Sequence, residues 1–185
     1  MSDVHTPEQR SRNMAAVRGR NTRPELLLRR ALHGMGFRYR LNVRTLPGSP
    51  DLVLPGRTAL LFVHGCFWHG HDCSLFVLPQ TRRDFWLDKI GRNQLRDRRH
   101  SDQLAEAGWR VGTVWECAMR GRASPGVEAT TEDVARFLRD PDCREMFFRD
   151  TGAHVGSGHP SLLSERFTPV PGRGSNEGVL DDDPR

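Results

Sequence analysis

Residues 51–73 read DLVLPGRTALLFVHGCFWHGHDC. Asp51-Leu52-Val53-Leu54 is a short apolar strand headed by an acid. Pro55-Gly56-Arg57 supplies turn residues. Thr58 to Val63 is a continuous apolar run, the pattern of a strand buried on both faces. Paired strands lie about 5 Å apart, so Asp51 is expected close to the polar groups at the end of the second strand. That strand delivers His64 and a nine-residue loop, Gly65 to Cys73, holding two thiols, two imidazoles, two large aromatics and two glycines. Thiolate and imidazole are zinc ligands. Cys66, His71 and Cys73 supply three tetrahedral positions, and Cys117, in Val114-Trp115-Glu116-Cys117, is the expected fourth. Phe67, Trp68 and His69 lie between the first two ligands. They either stand outward on a rigid loop or pack beneath a structural zinc knot.

At 185 residues the chain fits one domain with a tail. A 36% hydrophobic content suffices for a single core. Nothing approaches the roughly eighteen consecutive apolar residues of a membrane span. The polar N-terminus MSDVHTPEQRSRN lacks a signal-peptide core, so a cytoplasmic location is expected. Four cysteines without an export signal suggest metal or reactive thiols rather than disulfides; Cys143 is left as a free thiol. Residues 1–50 carry ten arginines against three acids, and residues 123–185 seven against twelve. A basic front and an acidic back suggest a polyanion bound by the first two-thirds, or simply a solvated basic surface. Lys89 is the sole lysine among 28 basic residues.

Before the hairpin, Thr6-Pro7-Glu8-Gln9 starts a helix that fades at Gly19 and has too few apolar residues to be core; it reads as an arm over residues 1–20. Thr22-Arg23-Pro24-Glu25 opens a second helix, with Leu26, Leu27, Leu28, Ala31 and Leu32 as its expected buried face. Glu25 stands where Thr22's capping-box partner belongs. Phe37 to Val43 alternates weakly, as an edge strand would. After the loop, Thr81-Arg82-Arg83-Asp84 is expected to cap the longest helix, running to about Ala107. Its apolar members are Phe85, Trp86, Ile90, Leu95 and Leu104, amid many arginines. Trp109 to Trp115 is a third core strand. Thr130-Thr131-Glu132-Asp133 starts a short helix with Val134, Phe137 and Leu138 inward. From about Asp150 the composition predicts disorder, giving a core domain over 21–140 and a tail over 150–185. This order of elements predicts an α/β sandwich around a mixed sheet.

An acid–strand–turn–strand arrangement suits metal-dependent phosphodiester hydrolysis. Asp51 can hold a hard cation, with a main-chain carbonyl completing the shell. A neutral histidine can take a proton from the attacking water. The alternatives are a turn role for Asp51 after Pro50, and ordinary surface positions for His64 and His69, or zinc ligation by His69 in place of His71.

Several longer motifs run in order over residues 3–122: Ser11-Arg12-Asn13-Met14, Leu46-Pro47-Gly48-Ser49-Pro50-Asp51 and His64-Gly65-Cys66-Phe67-Trp68-His69. They continue with Thr81-Arg82, Phe85-Trp86-Leu87, Lys89-Ile90-Gly91, Asn93, Arg96-Asp97-Arg98-Arg99, Gly108-Trp109-Arg110-Val111 and Trp115-Glu116-Cys117. In these the chain resembles the very-short-patch repair (Vsr) endonucleases, which nick DNA at thymine–guanine mismatches. The resemblance implies a mixed sheet flanked by helices, an offshoot of the PD-(D/E)XK restriction-endonuclease fold, with a structural zinc site. It implies Asp51 and the Val63 carbonyl as magnesium ligands, His69 as general base or acid, and His64 and Glu25 completing the site. Cys66, His71, Cys73 and Cys117 match the zinc ligands. Phe67, Trp68 and Trp86 match rings that wedge beside the mismatch, with Met14 entering from the other groove. Lys89 and Asn93 match residues that read the mismatch. The implied partners are mismatched duplex DNA, a mismatch-repair matchmaker protein and a repair polymerase, for an enzyme acting as a monomer. Val63 stands where a threonine is familiar, and Gly70 where a histidine is. The rival readings are a restriction-type nuclease of the same fold and a mismatch-binding protein that does not cleave.

Overall fold

The computed structural model describes Gln9 and residues 19–155. The N-terminal arm apart from Gln9, Gly19 and Arg20, with it Met14, and residues 156–185 lie outside the described residues.

The hairpin forms as the sequence predicts. Strand β2 (Leu52–Leu54) pairs antiparallel with β3 (Ala59–His64), Leu52 opposite Leu61, across a 3-10 turn at Pro55–Arg57. A short edge strand, β1 (Arg40–Leu41), pairs antiparallel with β2. On the other side β4 (Arg110–Trp115) runs parallel to β3, Val63 opposite Val114. Parallel pairing needs a crossover. Here it comprises the cysteine–histidine loop and the long helix α2 (Arg83–Glu106), which follows α1 (Arg23–Gly34) in the chain. Helices α3 (Glu116–Met119) and α4 (Val127–Arg139) cross over to β5 (Glu145–Arg149), also parallel, and β6 (Gly152–Val155) closes the sheet antiparallel. The order is β1-β2-β3-β4-β5-β6 in one mixed sheet.

Successive strand residues point to opposite faces, and both faces are covered. Leu52, Leu54, Ala59 and Leu61 pack with Leu28 and Leu32 of α1 and Val134, Phe137 and Leu138 of α4. Val53, Leu60 and Phe62 pack on the other face with Leu104 of α2. The mixed sheet with helices on both sides is the expected fold class.

Several boundaries and faces differ from the sequence reading. The buried residues of α1 are Glu25, Leu28, Arg29 and Leu32, while Leu26 is exposed, because an ion pair occupies part of the inward stripe. Helix α2 begins after Arg82, whose left-handed backbone (φ 53°) takes the cap position, and no side chain caps it. Phe85 and Leu95 are exposed. Helix α4 starts at Val127, one turn before Thr130; Thr130 is buried and donates to the Ala118 carbonyl at 2.8 Å. The sheet also runs past the expected boundary at residue 140. Strand β5 supplies Phe147 and Phe148 to the core, and β6 continues the hairpin to Val155.

Arg110 ties these layers together. It is 4% exposed, and its guanidinium donates to the carbonyls of Phe137, Leu138, Asp140 and Arg57. Three of these lie at or just past the last turn of α4, where carbonyls lack helical partners. Replacing Arg110 with Met should cost about 3 kcal/mol, since hydrogen bonds from a charged donor are lost and buried carbonyls stay unpaired. Urea unfolding should show a lowered midpoint at unchanged slope; a midpoint like the parent's would contradict this role.

Candidate active site and metal centre

Two clusters form where β3 and β4 end. Cys66, His71, Cys73 and Cys117 present ligand atoms all within 4.8 Å of one another. All but Cys73 are buried, and none is in a disulfide. The loop is wound tightly by its own backbone: the His71 amide donates to the Cys66 carbonyl and the Cys73 amide to the His71 carbonyl, both at 3.0 Å. Cys117 arrives from the first turn after β4, its Sγ 3.4 Å from Nδ1 of His71. The Cys117 thiol is held well below its ordinary range, first by the Cys66 hydrogen bond and then by His71, so a thiolate forms there readily. The opposite nitrogen of His71, Nε2, is buried without a hydrogen-bond partner among the described residues. Three thiols and an imidazole facing one point, in a buried site, fit a tetrahedral metal ion. His71, rather than His69, belongs to this set.

The second cluster is His64, His69 and Asp97. The two imidazoles stack at 3.8 Å between centroids with their planes 5° apart. Nδ1 of His69 lies 2.5 Å from Oδ2 of Asp97. Burial opposes ionisation of Asp97, yet the His69 hydrogen bond and the charges of His69, His64 and Arg96 hold its carboxyl at about 2. An ionised Asp97 can only accept, so Nδ1 of His69 carries a proton toward it. Sequence reasoning missed Asp97. The motif Arg96-Asp97-Arg98-Arg99 looks like a solvated basic face, and the imidazole its single acid binds lies 28 residues away in sequence.

Trp115 joins the two clusters. Fully buried, it stacks on His71 at 4.1 Å and meets His64 edge-on at 5.3 Å.

Asp51, just before β2, accepts a 2.7 Å hydrogen bond from the Val63 amide through Oδ2. The hairpin register makes this contact, as the acid–strand–turn–strand pattern predicts. Burial pushes the Asp51 carboxyl up to about 6, against the Val63 amide and the charges of Arg29 and Arg20, which pull it down. Glu25 lies on α1 in two structural contacts: it closes the capping box with Thr22 and pairs with Arg29. The charge of Arg29 also helps to lower the Asp51 carboxyl, so Glu25 pairs with an arginine whose field reaches Asp51.

The aromatic residues form one half-buried group. Phe67 meets Trp68 edge-on at 5.1 Å and Trp86 at 5.2 Å, and Trp68 lies 6.1 Å from Trp86. They are neither sealed beneath the loop nor fully free of it. Nζ of Lys89 stands 5.7 Å from the Trp68 ring centroid. Nδ2 of Asn93 donates to the Trp68 carbonyl at 2.9 Å.

A sequence model of the family described as "DNA mismatch endonuclease Vsr" matches residues 2–75. The DNA mismatch endonuclease Vsr of Escherichia coli (strain K12) is 48% identical over 138 residues, covering 75% of this chain and 88% of that protein. The chain belongs to the Vsr family. Type II nicking enzymes are similar as well: V.XorIIP of Xanthomonas oryzae pv. oryzae is 50% identical over 119 residues, covering 64% of this chain and 88% of its own. V.NmeAIP of Neisseria meningitidis serogroup A is 41% identical over 123 residues, covering 66% and 88%. As a Vsr-family protein the chain is a DNA endonuclease of the nicking, phosphodiester-hydrolysing type. No described helix is long and apolar enough to cross a membrane.

Two outcomes are expected from this geometry. Cys117→Ser should lower stability and metal content together, because a metal bound only by the folded state stabilises it. Cys143→Ser, outside the cluster, should change neither by metal analysis and thermal unfolding. Asp51→Asn should stabilise the protein at pH 7.5 with no added divalent cation. The folded carboxyl titrates at about 6 against an ordinary 3.8, so its stabilising proton is fully held below about pH 4 and lost as pH rises through 6. The gain, on the order of 2 kcal/mol, should therefore vanish at pH 4.

Proposed function

We propose that this chain nicks one strand of duplex DNA 5′ to the thymine of a thymine–guanine mismatch left by deamination of 5-methylcytosine, initiating very short patch repair. The observation that supports this most is the convergence at one end of the sheet. A half-buried carboxylate is held by the strand that leads into the cysteine–histidine loop, and that loop carries a histidine oriented by an ionised aspartate and two rings of a half-buried aromatic group.

In this reading Asp51 and the Val63 carbonyl hold magnesium. Among the described residues Asp51 belongs to no cluster of three metal-binding side chains. That suits an ion that keeps several waters and takes phosphate oxygens. Magnesium supplies charge neutralisation at the phosphate and a more acidic water. Nε2 of His69 takes the water's proton as its oxygen bonds to phosphorus, and the P–O bond to the leaving sugar oxygen breaks. Asp97 holds Nδ1–H and stabilises the imidazolium that forms, as an orienting carboxylate does. His64 supports the His69 ring face, and Glu25 acts through Arg29 on the carboxylate. Cys66, His71, Cys73 and Cys117 hold a structural zinc ion.

A thymine–guanine pair retains intact bases, so deformability is what marks it. Unstacking costs a few kcal/mol, and less at a mismatch. Phe67, Trp68 and Trp86 are the proposed wedge, with Met14 entering from the opposite groove. Lys89 and the carboxamide oxygen of Asn93 face the mismatch. The arginines of α2 hold phosphates. A mismatch-repair matchmaker protein and a repair polymerase are the proposed partners, in the cytoplasm where the chromosome lies. The similarity to proteins named type II nicking enzymes bears on one second reading, a restriction-type nuclease of the same fold cutting unmodified or foreign DNA.

A nicking assay with magnesium on matched and mismatched duplexes separates these readings. Only the thymine–guanine duplex should be nicked; equal nicking of a paired site would favour the restriction-type enzyme, and binding without nicking a non-cleaving protein. His69→Ala should slow nicking by about 10²–10⁴ with metal content intact. Trp68→Ala should lower the preference for the mismatch roughly tenfold, one ring's stacking, while the salt dependence of binding stays as it was.

A further inference from the structure

Helix α2 grips the loop from behind. Gln94 is 8% exposed, in a helix face that is otherwise strongly basic. Its Nε2 donates to two consecutive carbonyls, those of His69 and Gly70, each at 3.1 Å. One turn on, Asp97 binds the His69 ring itself. Residues three apart share a helix face, so one stripe of α2 holds both the main chain and the imidazole of His69.

The contact is shaped from the loop side too. Gly70 adopts φ +59°, and a Cβ there would lie 2.5 Å from Cγ2 of Ile90 and 2.6 Å from Nε2 of Gln94. The volume a side chain would fill is occupied by the Gln94 amide. A left-handed residue is needed to turn the chain between His69 and His71, and glycine meets that need without Cβ strain. With the Gly70 carbonyl buried and the His69 carbonyl partly buried against α2, an apolar residue at 94 would take this donor from both.

We infer that Gln94, fitted against Gly70, is a positioning residue for His69: it fixes the His69–Gly70 main chain so that the imidazole keeps Nδ1 on Asp97 and its stack on His64. Gln94 touches no reacting atom and acts only through the loop. The inference rests on the reading of His69 as the proton-transfer group. An error near 1 Å in such a group lowers rates by roughly 10²-fold.

The decisive experiment replaces Gln94 with Met, which keeps length and apolar packing but cannot donate. Single-turnover nicking of a thymine–guanine duplex should fall roughly 10–100-fold, with mismatch affinity and metal content at parent levels. In a His69→Ala background the same replacement should cost nothing, because its effect passes through that ring. In the DNA-free protein, ¹⁵N NMR at one fixed pH should show the His69 ring shifting from a single Nδ1–H tautomer toward a mixture. Gly70→Ala, which displaces the amide from the other side, should reproduce both results and serves if Gln94→Met folds poorly. Parent-like nicking, an equal cost in both backgrounds, or an unmoved His69 signal overturns the inference. Should His69→Ala by itself leave nicking intact, the proton-transfer reading fails instead, and the NMR comparison still tests whether Gln94 orients the ring.

Discussion

Three thiols and an imidazole converge on one buried point, and that crowding is the constraint on which the site depends. Packed this closely the thiols compete for hydrogen bonds, and Cys117 leans on both Cys66 and Nδ1 of His71. With a tetrahedral ion every ligand is satisfied, and the chain between Cys66 and His71 has both ends fixed. Phe67, Trp68 and His69 are that chain. Their position near the sheet's end is therefore tied to the cysteine–histidine cluster rather than to a hydrophobic core of their own. Trp115 carries the same constraint further, stacked on His71 and edge-on to His64.

Strands and helix divide the remaining work. The hairpin brings Asp51 to the Val63 amide through register alone, and burial keeps that carboxyl's pKa raised. A group held this way is poorly stabilised when charged, a state suited to a ligand whose partner is a cation. Helix α2 contributes from the opposite side. Asn93, Gln94 and Asp97 hold, in order, the Trp68 carbonyl, the His69 and Gly70 carbonyls, and the His69 ring. A helix surface is stiffer than a loop, so three consecutive loop residues gain a rigid backing. The outward faces of the same helix carry arginines suited to phosphates. On the proposed function, one element would bear on DNA and on the His69 loop at once.

Local signals in the chain were enough for much of this. Apolar continuity marked β3 and β4 as doubly buried strands, Thr22 and Glu25 marked the start of α1, and thiol and imidazole spacing marked the metal loop. Each is a short-range pattern whose physical cause lies within a few residues. The longer motifs carried the family and the fold class. Weaker local signals misled: Leu26, Phe85 and Leu95 are apolar yet exposed, because ion pairs and a basic surface claimed the faces they were assigned. Strand β5 lies past the expected end of the domain at residue 140 and β6 in the stretch whose composition resembles a tail; pairing of β5 with β4, and of β6 with β5, makes them strands.

The sequence by itself determined which residue types could hold a metal and an acid–base site, because ligand chemistry is a property of side chains and their spacing. Only the tertiary structure decided which of them meet. Asp97 reaches His69 from 28 residues away. Arg110 closes carbonyls from two separate segments, and Gln94 fills the space that Gly70 leaves open. None of these pairings has a periodicity or a fixed spacing, since each arises from packing a helix against a sheet, and packing is settled only when the whole core closes.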